Sequence, residues 1–135
     1  MIKAQVSVEY LLIMGFATLM TIPLLIIYYK YTSETTNSVV YGQSLQIARK
    51  IIDSSESVYY LGKPSQTTLK VNFPDNIYSI NLSNKELVFK VKTINGLSDI
   101  VQISSVNLSG SLPTSPGVHI VTVKAEDGYV LIAST

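Results

Sequence analysis

From Leu11 to Tyr29 the chain runs nineteen residues without a charge, and only Gly15, Thr18, Thr21 and Pro23 interrupt the apolar side chains. Wound as a helix at about 1.5 Å per residue, the run covers ~28 Å, about the thickness of a bilayer's hydrocarbon core. Burying it inside a soluble protein would need a large surrounding body, and the roughly hundred residues that follow are too few. The run therefore reads as a membrane segment attached to something small and soluble.

Composition narrows what that something does. Charged residues make up only 14% of the 135, against the roughly 25% of an average soluble domain. Ten Lys+Arg against nine Asp+Glu leave a net charge of +1, so no field draws the chain to nucleic acid. With no cysteine, disulfides, thiolate zinc sites, Fe–S clusters and thiol nucleophiles are excluded. A single histidine, His119, leaves nothing from which to build a histidine metal site or a Ser-His-Asp triad. Glycine-rich phosphate loops and catalytic pairs are also missing, so the expectation is a protein that is not an enzyme and uses no cofactor or metal.

The apolar run is too long for a secretory signal, lacks a small-residue cleavage site at its end, and continues into helix-like sequence. After a polar patch, Lys30 to Ser38, a second periodic stretch begins. Tyr41, Leu45, Ala48, Ile52 and Tyr59, with Ile47, Ile51 and Val58 beside them, mark one stripe of an amphipathic helix. Arg49 and Asp53 are spaced for an i,i+4 pair on the other side. Tyr60-Leu61-Gly62-Lys63-Pro64 then offers a left-handed glycine cap, a cation for the negative helix end and a proline stop. The expectation is one helix from Gln5 to Leu61, locally loosened at Pro23.

Beyond Pro64 the period changes to two. Thr67, Leu69, Val71 and Phe73 alternate with polar residues, as do Tyr78, Ile80 and Leu82, then Leu87, Phe89 and Val91. Turns are expected at Pro74 to Asn76, Ser83 to Lys85 and Asn95-Gly96; a fourth strand runs from Ile100 to Val106, and Gly110 to Gly117 is a loop. Val118 to Lys124 and Tyr129 to Ala133 form a closing hairpin around Glu126-Asp127-Gly128. About six short antiparallel strands leave one apolar face, and the amphipathic stretch is its lid. The fold class expected is α+β, a long N-terminal helix packed on a small sheet in the manner of a lollipop. Its segments are a membrane helix (5–38), an amphipathic half (39–63) and an outer β-domain (64–135).

One charge stands at the edge of the apolar run. Glu9 is followed by no other charge until Lys30, and a carboxylate within a bilayer costs on the order of 2.5–3.5 kcal/mol at mid-depth, less near the interface. Such a group needs headgroups or a positive partner. Its context is Lys3-Ala-Gln-Val-Ser-Val-Glu-Tyr-Leu11.

That stretch resembles the Q-x-S-x-E-Y-L signature of class III (prepilin-type) signal peptides in archaeal type IV pilin subunits, with the apolar helix behind it in the matching place. The resemblance implies a leader of four residues (1–4), Lys3 holding it on the cytoplasmic side, and cleavage by a prepilin peptidase between Ala4 and Gln5. It further implies a single-pass membrane protein before assembly and an extracellular filament of identical or related subunits afterwards. An assembly ATPase and platform proteins are the implied partners, and surface adhesion the implied role. Cleavage frees an amine at Gln5, four residues before Glu9. A neighbouring subunit shifted along the axis can bring its carboxylate to that amine, and in an apolar bundle neither charge has water as an alternative. Archaellin-like or minor-pilin membership is a variant of the same reading. The alternative from another class is a monomeric, membrane-anchored extracellular binding module.

Smaller motifs complete the inventory. Asn81-Leu82-Ser83 and Asn107-Leu108-Ser109 are N-glycosylation sequons. His119 reads as a surface β-residue and Glu126-Asp127-Gly128 as a turn before a metal site. The nine tyrosines, notably Tyr28, Tyr29, Tyr31, Tyr59 and Tyr60, read as interfacial anchors and packing groups rather than as a cofactor box.

Overall fold

The computed structural model describes residues 2–135, with side chains from Gln5 onward. Met1 lies outside the described residues, and the remainder of the expected leader (residues 2–4) is seen only as helix backbone. The chain divides between Thr36 and Asn37 into two compact units. A helix, α1, accounts for Ile2–Leu61, and seven strands follow it.

In the N-terminal unit every side chain from Gln5 to Thr32 is exposed. Exposed here means unpaired with protein, since Leu11, Leu12, Phe16, Leu19, Leu24 and Ile27 each keep 61% or more of their surface accessible. The hydroxyls in the run are satisfied within the helix: Thr18 Oγ1 donates to the Met14 carbonyl at 2.8 Å and Thr21 Oγ1 to the Ala17 carbonyl at 2.7 Å. A threonine bonded in this way carries no open polar demand into hydrocarbon. Pro23 lies inside α1 and does not end it.

The second unit, residues 37–135, holds the core. Strands β1 (Gln66–Phe73), β6 (Gly117–Glu126), β7 (Tyr129–Ser134) and β5 (Leu108–Ser111) form one sheet in the order β1-β6-β7-β5. Strands β2 (Ile77–Ser83), β3 (Glu86–Thr93) and β4 (Gly96–Ile103) form a second, in the order β2-β3-β4. Seven strands in two sheets thus replace the expected six in one. The sheets meet where the Leu108 amide donates to the Asn84 carbonyl, joining the start of β5 to the turn after β2. At the far end of one sheet Lys50 Nζ lies 3.5 Å from the Lys70 carbonyl on β1; at the far end of the other Glu56 binds Ser105, just past β4. The helix half from Asn37 to Leu61 therefore lies between the outer strands, and both sheets wrap towards it.

Two expectations failed for physical reasons. Glycine at 110 allows β5, which the sequence marked as the start of a loop. Gly110 has φ +128, and a Cβ there would come within 1.8 Å of the Ile132 carbonyl oxygen on β7. Only glycine lets the two backbones pair in parallel. The fourth strand starts at Gly96 and ends at Ile103, not at Ile100 and Val106, because β3 and β4 pair in unbroken register from Thr93↔Gly96 to Glu86↔Ile103. A bulge between Ile77 and Ser79 also turns Tyr78 outward to 65% exposure, leaving Ile77, Ile80 and Leu82 to face the core.

The apolar faces join in one cluster. Phe73 of the first sheet meets Phe89 of the second edge to face, centroids 6.1 Å apart, and both are fully buried with Leu87, Ile100, Val121, Val123, Val130 and Ile132. The helix contributes Ile47, Ala48, Ile51, Ile52 and Val58, with Ser44 and Ser55 at zero exposure. Its buried stripe is centred on Ser44, Ala48, Ile51, Ser55 and Val58 rather than on the expected Tyr41 and Leu45, which are exposed and half-buried. Arg49 and Asp53 make no ion pair with each other among the described residues. At the helix end Gly62 takes φ +77, the left-handed cap expected, and Ser65 donates back to its carbonyl at 2.9 Å.

Candidate functional site

Gln5 and Glu9 are exposed residues one turn apart on α1, and the Ala4–Gln5 bond lies within that helix. The Ala4 side chain lies outside the described residues. Glu9 is flanked by Val8, Tyr10 and Leu11, each at least 58% exposed. Among the described residues, therefore, Glu9 stands exposed between apolar neighbours. Past Tyr29 the helix carries Lys30, Tyr31 and Glu34, a polar collar after the apolar run.

A second polar constellation, not anticipated, joins the helix to the sheets. Glu56 Oε1 accepts the Ser105 amide at 2.8 Å and the Ser105 hydroxyl at 2.9 Å, while Tyr60 Oη and Ser105 Oγ lie 3.4 Å apart. The Ser105 amide, then its hydroxyl, and to a lesser degree Ser104 hold the Glu56 carboxyl below its ordinary range, against the desolvation that raises it. No local spacing connects residues 56 and 105, so sequence reading had no signal for this clamp.

Lys63, expected to serve the helix end, instead reaches the last hairpin. Its Nζ lies 3.0 Å from Glu126 and 3.2 Å from Asp127, and Lys124 Nζ lies 2.7 Å from Glu126. The bond to Glu126, then that to Asp127, raises the lysine above its ordinary range; the bond to Lys124, then that to Lys63, lowers Glu126. The acidic turn is thus filled by lysines, and no group of three metal-ligating side chains occurs among the described residues.

His119 is not a plain surface residue. It is half-buried with its ring 5.2 Å from Phe73, and its Nε2 lies 2.9 Å from the Ser115 carbonyl, pinning the loop before β6. The two sequons differ as well. Both asparagines are exposed, but the Asn107 side-chain amide donates to the Gly128 carbonyl at 3.3 Å, whereas Asn81 on β2 makes no side-chain bond among the described residues.

Fold and surface together define an α+β domain carried on a helix whose N-terminal half is apolar, exposed, and long enough to cross a membrane. Compared with known protein families, curated proteins and solved structures, the chain matches none.

Proposed function

We propose that this chain is the structural subunit of an archaeal type IV pilus-like filament, processed between Ala4 and Gln5 and polymerised through its N-terminal helix. The observation that carries the reading is the division of labour along α1. Residues 37–61 bury an apolar stripe in the domain's core, while residues 11–29 expose an apolar surface all round the helix that no described residue covers. A surface of that kind needs lipid or other copies. Each large aliphatic side chain moved from water to an apolar setting contributes roughly 1.5–3 kcal/mol, so the run cannot stand in water in either state.

Before assembly the helix spans the bilayer with Tyr28, Tyr29 and Tyr31 at the interface. After processing, the Gln5 amine of one subunit meets Glu9 of another, and the pair sets the axial register as helices exchange lipid for one another. The β-domain stays outside and forms the surface the filament presents.

The test is processing and assembly in the native host. Mass spectrometry of the mature chain is expected to place Gln5 first, and electron microscopy to show filaments that vanish when the gene is deleted. A chain that begins at Met1 and persists as an unassembled membrane protein would instead fit an anchored monomeric module.

A further inference from the structure

The second sheet turns an apolar row to solvent, and one of the two sequons stands in that row. Register places Asn81 opposite Val88 and Val88 opposite Val101, so the three share one line across β2, β3 and β4. Their chain neighbours Ile80, Leu82, Leu87, Phe89 and Ile100 point to the core, so this line faces outward. On the same outer face of β4, Val101 is 47% exposed, Leu97 56% and Ile103 74%. The sheet's other face is covered by the core; this one is open among the described residues, with half-buried Val88 and exposed Val101 between the charged side chains of Glu86, Lys90, Lys92 and Asp99.

Asn81 is exposed, makes no hydrogen bond through its side chain among the described residues, and has Ser83 two residues on along the same face. Asn107 is built differently. It is exposed as well, but its side-chain nitrogen donates to the Gly128 carbonyl at 3.3 Å, its backbone carbonyl accepts the Val130 amide at 2.8 Å, and Val106 and Leu108 on either side are buried. Of the two sequon asparagines, Asn81 is the one whose side-chain nitrogen has no hydrogen bond among the described residues.

We propose that Asn81, and not Asn107, accepts an N-linked glycan, and that this glycan lies across Val88 and Val101 and shields the apolar row. In the transfer, Asn81 Nδ2 bonds to the anomeric carbon of a glycosyl phosphate donor. The carbon–oxygen bond to the phosphate breaks, the phosphate leaves with the electron pair, and the transferase takes one amide proton. Adjacent strands are ~4.8 Å apart, so Val101 lies about 10 Å from the attachment point, within reach of a short oligosaccharide. A sugar's aliphatic ring face can cover valine and isoleucine side chains while its hydroxyls keep water, which removes an exposed apolar patch without another protein. The inference rests on the reading above, because it needs the β-domain exported.

The experiment uses the full chain from its native host, with the exposed tyrosines of intact cells first labelled by a membrane-impermeant peroxidase, which leaves every lysine open to trypsin. Trypsin separates the sites, since Asn81 falls in residues 71–85 and Asn107 in residues 93–124. The expected result is surface-labelled protein whose 71–85 peptide carries a glycan mass and whose 93–124 peptide does not. Asn81→Gln and Ser83→Ala should both abolish the modification, and Ser83→Thr should keep it. Carbene footprinting should then show labelling at Leu97, Val101 and Ile103 rising several-fold in Ser83→Ala and staying at the parent level in Ser83→Thr. Surface-labelled protein with a bare 71–85 peptide, or with Asn107 occupied as fully as Asn81, overturns the assignment while leaving the filament reading intact. A β-domain shielded from the reagent inside the cell overturns both. Unchanged labelling of β4 after loss of the glycan overturns the shield.

Discussion

Among single residues, the buried serines of α1 show most directly how polar groups can be legible or hidden. Ser55 Oγ donates to the Ile51 carbonyl at 2.7 Å, so its burial leaves nothing open. Ser44 is equally buried, and its hydroxyl finds no partner among the described residues. A buried polar group without a bond costs about 1–3 kcal/mol, so Ser44→Ala should stabilise the domain by about 1 kcal/mol, while Ser44→Leu should overpack and destabilise it. Chemical denaturation of a chain beginning at Asn37 checks both signs. Glu56 is the opposite case, a carboxylate whose charged form the Ser105 amide and hydroxyl favour. Its folded pKa is lowered, so its contribution is fully present above the ordinary glutamate value near ~4.3 and is lost as pH falls through the lowered value. Glu56→Gln should cost about 1 kcal/mol at pH 7, a fall of roughly 4–8 °C in Tm for a domain this size, and the deficit should shrink below pH 4. An equal deficit at pH 3 and pH 7 would show that shape, not charge, is what Glu56 supplies. Lys63 has the reverse sign: its pKa is raised, so its pairing is complete below the ordinary lysine value and fades only as pH rises through the raised one.

The elements divide into those that local pattern specifies and those that only the assembled domain specifies. Strands β1 and β3 were legible because alternation is a local rule, and their burial follows it: Val71 and Phe73, then Leu87, Phe89 and Val91, face inward. The helix end was legible because Gly62 and Pro64 act through their own backbones. Strand β5 was not, since its four residues include a glycine that makes sense only against Ile132 on a strand twenty residues away. The helix stripe was read off its centre because hydropathy scores Ser44 and Ser55 as polar, whereas both lie fully buried on the face that meets the core. Asn81 and Asn107 were visible as motifs, but nothing local told the free amide from the engaged one. That helix half is also where the domain's integrity can be tested. With Ile47, Ala48, Ile51, Ile52 and Val58 removed, the inner faces of both sheets lose their cover. A chain starting at Asn37 should fold as a soluble monomer, and one starting at Pro64 should aggregate, as size-exclusion chromatography with light scattering can show. Equal solubility of the two would mean that the sheets close without the helix.

For the whole molecule the decisive group is Glu9, because it separates assembly from mere anchoring. Glu9→Gln is nearly isosteric and takes a charge out of an apolar neighbourhood, so insertion into the bilayer should be intact or slightly easier. Processing at Ala4–Gln5 should survive if the peptidase reads chiefly the residues flanking the scissile bond. On the filament reading proposed above, the substitution would remove the attraction between one subunit's carboxylate and the next subunit's Gln5 amine, a pair that apolar surroundings would strengthen because each partner would otherwise stand uncompensated. The expected outcome is processed protein that accumulates in the membrane fraction, with few or no filaments by electron microscopy. The chemistry of glutamine adds a control, since an N-terminal glutamine can cyclise and lose its amine. The mature N-terminus must therefore be shown by mass spectrometry to be open before filaments are counted. In a host where it is open, normal filament numbers with Glu9→Gln would remove the ion pair from assembly and leave helix packing alone to set the register. Where it is cyclised, Glu9 has only hydroxyl and amide partners such as Ser7 of a neighbour, and the same substitution should cost little. The size of the defect should therefore follow the fraction of open N-termini.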